Sequence, residues 1–206
     1  MKLLRPLFLL CTALVLAACA STTIRSAWFD TSYTGGPMKR IIVVGVGGQV
    51  ADRRVFEDSF AAQLQAAGVE GIPGYTVASD ETRMNDAAFA AAVEKSGADG
   101  LLVVRLLNVD TRTQVSTAMV PGPAVWGPWG PYGGGFYGPM WFPATQVNQF
   151  DVAQVESSLY DTKTRRLIWS ATTETINPAA VAQETPRFAA VIIGQLRARG
   201  LIAGKP

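Results

Sequence analysis

The 206-residue chain carries 18 basic and 16 acidic residues, no histidine, and two cysteines, Cys11 and Cys19. Without imidazole there are no His-dependent triads, no His metal ligands and no use of the commonest general base, and both thiols fall in the first 19 residues. No basic run of five or more residues occurs, so nucleic acid is not an expected partner, and any chemistry is left to carboxylates, Lys, Tyr and Ser.

Lys2 and Arg5 precede an apolar run over residues 7–18, which is shorter than the roughly 20 residues a permanent transmembrane helix needs. A charged start, a short apolar core and small residues before a cut site describe a secretory signal. Leu16-Ala17-Ala18-Cys19 resembles the bacterial lipobox, which implies cleavage before Cys19 and acylation of its thiol. The expected organisation is a signal peptide over 1–18, a lipidated tether over 19–38 and an α/β domain over 39–206. Ala20, where an aspartate would resemble an inner-membrane retention signal, points to the periplasmic face of the outer membrane. Cleavage also removes Lys2 and Arg5, leaving 16 basic against 16 acidic residues. Several acyl chains, each buried methylene contributing about 0.8 kcal/mol, hold such a protein on its membrane without a spanning segment.

Residues 21–37 read as polar chain ending in Gly35-Gly36-Pro37, with Ala27-Trp28-Phe29 as a candidate edge strand. Ile41-Ile42-Val43-Val44 is a short continuous apolar run, the pattern of a strand covered on both faces. After Gly45-Val46-Gly47-Gly48 a helix is predicted, N-capped by Asp52, with Val55, Phe56, Phe60, Leu64 and Ala67 inward and Gly68 as its stop. A strand is predicted over 75–78, a helix over 85–96 with Phe89, Ala92 and Val93 inward, and a buried strand over 101–107. Strand–helix–strand–helix–strand implies parallel pairing with packed helices. Residues 149–160 and 166–176, joined by Asp161-Thr162-Lys163-Thr164, read as an antiparallel hairpin. Its first arm alternates imperfectly, which a bulge would explain. A final helix is predicted with Thr185 as N-cap, Pro186 at its first position, Phe188, Val191, Ile192 and Leu196 inward, and Gly200 beyond it. The expected fold is a single α/β domain on a mixed sheet.

Residues 119–143 stand apart, with seven Gly, six Pro, seven aromatics and no charge. That density of Gly and Pro opposes both helices and strand ladders. Trp126, Trp129, Tyr132, Phe136, Tyr137, Trp141 and Phe142 need an apolar partner, so they are the candidate interaction residues: a cover over their own domain, a contact for lipid or an envelope protein, or stacking platforms for carbohydrate.

Gly45-Val46-Gly47-Gly48 has part of a dinucleotide fingerprint, but Val50 stands where the last glycine belongs, and a tight strand-to-helix turn is the favoured reading. Arg105, inside an apolar run, is expected to be buried in an internal ion pair, with an anionic ligand as the alternative. Asp151 and Glu156 face opposite sides of one strand, and Ser79-Asp80-Glu81 reads as a helix start. No G-x-S-x-G, Walker or metal-ligand spacing appears, so no catalytic residue, metal site or cofactor is expected.

Phe56-Glu57-Asp58-Ser59-Phe60, Leu64 to Gly68, Gly97-Ala98-Asp99-Gly100-Leu101, Leu159-Tyr160-Asp161-Thr162-Lys163-Thr164 and Leu167-Ile168-Trp169 together resemble uncharacterised periplasm-facing lipoproteins of proteobacteria. The pattern is similar to the curli-secretion lipoprotein, the penicillin-binding-protein activator lipoproteins and the N-terminal domain of the TolB protein. It covers roughly 39–202 apart from the insert, and its motifs are turns and stops. The resemblance implies an α/β domain. The expected role is a non-enzymatic accessory module of the cell envelope, held to its membrane through Cys19 and engaging another envelope protein. The alternatives are a hydrolase using carboxylates such as Asp80 or Asp110, and an oligomeric secretion component.

Overall fold

The computed structural model describes residues 22–121, 141–176 and 180–203. They form six strands, β1 (Thr22–Phe29), β2 (Arg40–Val46), β3 (Glu70–Pro73), β4 (Gly100–Pro121), β5 (Trp141–Asp161) and β6 (Leu167–Ile176). The helices are α1 (Val50–Ala66), α2 (Gly74–Val77), α3 (Asp80–Arg83), α4 (Asp86–Ser96) and α5 (Val181–Ala198). The strands lie in one mixed sheet of order β1-β6-β5-β4-β2-β3, so the expected α/β class holds. β2 runs parallel to both β3 and β4, while β6 is antiparallel to β5 and β1.

Two compact units divide the chain. One joins the residues up to Asp110 with those from Val152 onward, and the other is Thr111–Asp151. In the first unit, Ile41, Val43, Leu102, Val104, Leu159, Trp169 and Ala171 point to one sheet face, where Phe60 and Leu64 of α1 and Phe188, Ala189, Ile192 and Leu196 of α5 cover them. The other face is covered less widely: Val93 of α4 packs with Ile42, Val44 and Ala98. In the second unit Thr111 Oγ1 donates to Asp151 Oδ1 at 2.8 Å, and Val115, Met119 and Val147 are exposed.

The motifs singled out as turns and stops meet one another. The carboxylate of Asp99 accepts from the backbone N–H groups of Lys39 at 2.9 Å and Arg40 at 3.1 Å, which holds the start of β2. Thr162, in the hairpin turn, donates to the carbonyls of Ala98 and Asp99, and its own N–H donates to Asp99 O at 3.1 Å. Within that turn Asp161 Oδ1 accepts from the Thr164 N–H at 2.6 Å.

Several expectations are corrected. The strand placed at 75–78 lies at Glu70–Pro73, and Gly74–Val77 turns as a short helix instead. Gly71 lets α1 approach closely and Pro73 ends the edge strand β3. Gln49, not Asp52, is the N-cap of α1, and its buried side chains are Glu57, Phe60, Ala61 and Leu64, with Val55 exposed. α5 starts one turn before the predicted cap, which places Pro186 inside the helix and leaves Thr185 Oγ1 donating back to Val181 O at 2.7 Å. Segment 21–37 contains the eight-residue β1, longer than the predicted three-residue patch, paired along β6 from Thr22↔Thr175 to Phe29↔Trp169. The register shift in the hairpin lies between Leu159 and Tyr160, beyond the irregular stretch it was meant to explain. Irregularity there has another cause: Val152 and Ala153 are both buried, one on each face. The insert is narrower than composition suggests, since β4 runs to Pro121 and β5 opens at Trp141.

Candidate functional site

On the helix-covered face of the first unit, a cavity of about 310 Å³ opens at the carboxyl end of β2, beside Val104, Leu106 and Val109 of β4. It exists because the strands outrun the helices. Along β4, Leu102 and Val104 are buried under α1 and α5, but the next side chain on that face, Leu106, is 45% exposed. With Val46 at 38% and Val109 at 53% it lines the cavity mouth. Phe56 of α1, Ala153 and Val155 of β5, and Phe188 of α5 make an apolar interior, with Asp52, Arg53, Thr175, Glu184 and Thr185 adding polar atoms. Apolar side chains exposed together, rather than singly, mark contact surfaces, and Val50 and Ile176 add two more at this end of the sheet.

The rim is held rigidly. Gly47 and Gly48 adopt φ of +93° and +69°, a left-handed path that lets β2 turn straight into α1. The buried carboxylate of Glu57 accepts from the Gly45 N–H at 3.0 Å and the Tyr75 N–H at 2.8 Å. Arg83 closes the network on the same two oxygens at 2.9 and 3.1 Å. Nearby, Arg53 pairs with Asp80 at 3.0 Å. Tyr75 donates its hydroxyl to Asp58 at 2.7 Å, and that bond, with burial second, raises its pKa above the ordinary value. Gly45-Val46-Gly47-Gly48 is therefore a strand-to-helix turn with an apolar cavity behind it, and the phosphate-cradle reading lacks a polar pocket to serve.

Arg105 is a correction. It is exposed, and no ion pair of Arg105 is found among the described residues. Val103 and Arg105 lie on the sheet face opposite the one that α1 and α5 cover. Arg105 instead borders a shallow polar cleft with Glu156, Ser158, Tyr160 and Ser170, in which the two serine hydroxyls lie 3.3 Å apart. The carboxylates named as hydrolase candidates do not converge on the cavity. Asp80 is paired to Arg53, Asp110 accepts from Asn108 Nδ2 at 2.8 Å, and neither lines the wall. Ser79 caps α3 by accepting from the Thr82 N–H, so Ser79-Asp80-Glu81 is a helix start as expected.

Cys19 lies outside the described residues, as do Trp126, Trp129, Tyr132, Phe136 and Tyr137; Trp141 and Phe142 open β5. Among the described residues no group of acidic side chains is arranged to hold a metal ion, and no helix is long and apolar enough to cross a membrane.

Two features of the site lie outside the expectations drawn from sequence. The cavity is made by side chains from six elements, so no local motif announces it, although the apolar Leu106 and Val109 beyond the covered part of β4 are a visible signal. Glu57 was also readable: it occupies the face of α1 shared by Phe60, Ala61 and Leu64, where an acid needs a buried partner.

No family model matches the chain, and no curated protein matches it in sequence. Among solved structures, the chain is similar to the PelC dodecamer from Paraburkholderia phytofirmans at 12% identity, covering 90% of this chain and 99% of that one, with a TM-score of 0.43. A variant of the same dodecamer gives 13% identity over 91% and 100% of the two chains, with a TM-score of 0.45. Lipoprotein GNA1162 from Neisseria meningitidis gives 17% identity over 77% and 98%, with a TM-score of 0.38.

Proposed function

We propose that the chain is a lipoprotein of the bacterial envelope, anchored through lipid on Cys19 at the periplasmic face of the outer membrane, that serves as a non-enzymatic accessory module. The observation that carries this reading is where the chain enters the fold. Thr22, three residues after Cys19, pairs with Thr175 at the end of the sheet where Val46, Val50, Leu106, Val109 and Ile176 are exposed. An anchor at Cys19 brings that apolar end to the membrane, which supplies the cover those side chains lack in water. The insert over 122–140, which holds Trp126, Trp129, Tyr132, Phe136 and Tyr137, is proposed with the adjoining Trp141 and Phe142 as the contact for a second envelope component.

Two experiments test this. Cells fed an alkyne-tagged fatty acid should incorporate the tag into the wild-type chain and not into Cys19→Ser; equal labelling of both removes the anchor. A photo-crosslinking residue at Trp129 should capture a defined envelope protein in living cells. If deleting residues 122–140 changed no envelope interaction or phenotype, the docking role of the insert would be wrong.

A further inference from the structure

The cavity and the start of β1 lie at one place. Thr22 and Thr175 are cross-strand partners whose hydroxyls lie 2.9 Å apart, and Thr175 lines the cavity. An extended chain spans at most about 3.6 Å per residue, so Cys19 lies within roughly 11 Å of Thr22. The wall offers what a hydrocarbon chain needs: Phe56, Val104, Val155 and Phe188 inside, and Leu106 and Val109 at the mouth. A headgroup-sized polar ligand has little to bind there, because Arg53 is already paired with Asp80. The volume of about 310 Å³ lies at the lower end of the roughly 300–1,000 Å³ of ligand pockets, which suits a single narrow chain.

We infer that this cavity is the seat of one acyl chain of the lipid on Cys19, so that the anchor is partly folded back into its own domain. The inference rests on the proposed lipidation and adds to it: the remaining chains stay in the bilayer, and the seated one fixes the domain against the membrane at its apolar end. Filling the site covers Leu106 and Val109 and leaves the polar cleft on the opposite sheet face untouched.

The test uses the full-length protein in its own membrane. Cells are grown with a fatty acid bearing a terminal diazirine, the membranes are irradiated, and the purified protein is digested and mapped by mass spectrometry. The expected result is an intramolecular adduct joining the acylated Cys19 peptide to residues of the cavity wall, reduced at least tenfold by Val109→Glu at the exposed mouth. Adducts of the wall with lipid not attached to Cys19 overturn the assignment to the anchor. Adducts confined to bilayer lipid, or an adduct pattern unmoved by Val109→Glu, overturn the cavity's role. The intact mass read in the same experiment separates the two ideas: a chain without lipid mass sinks the anchor itself, whereas a lipidated chain without wall adducts sinks only the seat.

Discussion

Glu57 and Arg83 form a two-point ion pair inside the fold, with both carboxylate oxygens engaged at 2.9 and 3.1 Å and the Glu57 side chain only 1% exposed. The same oxygens accept from the backbone of Gly45 and Tyr75, so one side chain of α1 ties together the end of β2, α2 and α3. Arg83 lies 26 residues further along the chain, which makes this pair a product of tertiary structure.

Removing one member of such a pair leaves a buried charge uncompensated. Glu57→Ala should therefore lower stability by about 3–5 kcal/mol in urea unfolding, while a double replacement by apolar residues, Glu57→Leu with Arg83→Met, should recover a large part of the loss. A single-variant effect below about 1 kcal/mol would mean that water reaches the pair and that the rim of the cavity is held by something else.

Asp99 and Thr162 supply the second prediction. Asp99 satisfies the N–H groups of Lys39 and Arg40 where β2 begins, and Thr162 donates to the backbone of Ala98 and Asp99. Asp99→Ala should cost about 1–3 kcal/mol, the penalty for stranding partly buried donors. Because the two residues belong to one network, Asp99→Ala and Thr162→Val should be non-additive, with a coupling of about 0.5–3 kcal/mol in a double-mutant cycle. Strict additivity would mean that the turn and the strand start are independent.

That network explains why much of the fold was legible. The Gly-Ala-Asp strand start, the Tyr-Asp-x-x-Thr turn and the glycine stops act through backbone hydrogen bonds, whose residue preferences are local and therefore visible. Asn85 as the N-cap of α4 and Gly97 in the left-handed region belong to the same class. Misplaced elements are those decided by tertiary contact. Pro186 sits inside α5 because Phe188 and Ile192 dock that helix on the sheet, and the helix extends back one turn further than local signals say. Arg105 was misread because an apolar run does not reveal which sheet face the helices cover. The cavity needed β2, β4, β5, β6, α1 and α5 in place at once, and only its outlying Leu106 and Val109 could be seen beforehand.

Asp30 gives the fold an acid-side dependence. Its Oδ1 accepts from the Ser32 hydroxyl at 2.7 Å and the Ser32 N–H at 2.9 Å, and Arg166 approaches Oδ2 at 2.6 Å. The hydrogen bonds from Ser32, with Arg166 adding its charge, hold the carboxyl below its ordinary 3.8. A carboxyl whose folded pKa is depressed stabilises the fold fully above its unfolded pKa, and that contribution is lost as the pH falls through the lower folded value. Wild type should therefore be more stable than Asp30→Asn by a constant margin at neutral pH. The margin should shrink as the pH falls below about 4, the unfolded value. Thermal melts of both proteins from pH 7 to pH 2.5 read this directly, and a margin that widened towards acid would contradict the assignment.

Two glycines that look alike in the sequence should respond in opposite directions to the same change. Gly71 lies in edge strand β3, directly under α1, and an added methyl would stand 2.5 Å from Ala61 O and 2.6 Å from Ala61 Cα. Those are backbone atoms in the middle of a 17-residue helix, so no side chain can rotate away, and the helix itself must lift off the sheet and draw Phe60 and Leu64 out of the core. Gly71→Ala should destabilise by about 1–3 kcal/mol, the range for overpacking, and more if α1 cannot shift. Gly194 sits in α5 with nothing within 4 Å of the added atom and an ordinary helical φ. There alanine restricts the unfolded chain without a native clash, so Gly194→Ala should stabilise by about 0.4–1 kcal/mol. Urea unfolding of the two variants side by side checks both signs. If Gly71→Ala were neutral, α1 would have to ride further from the sheet than the contacts with Ala61 allow, and the close helix–strand approach that positions Glu57 beneath the cavity rim would be lost with it.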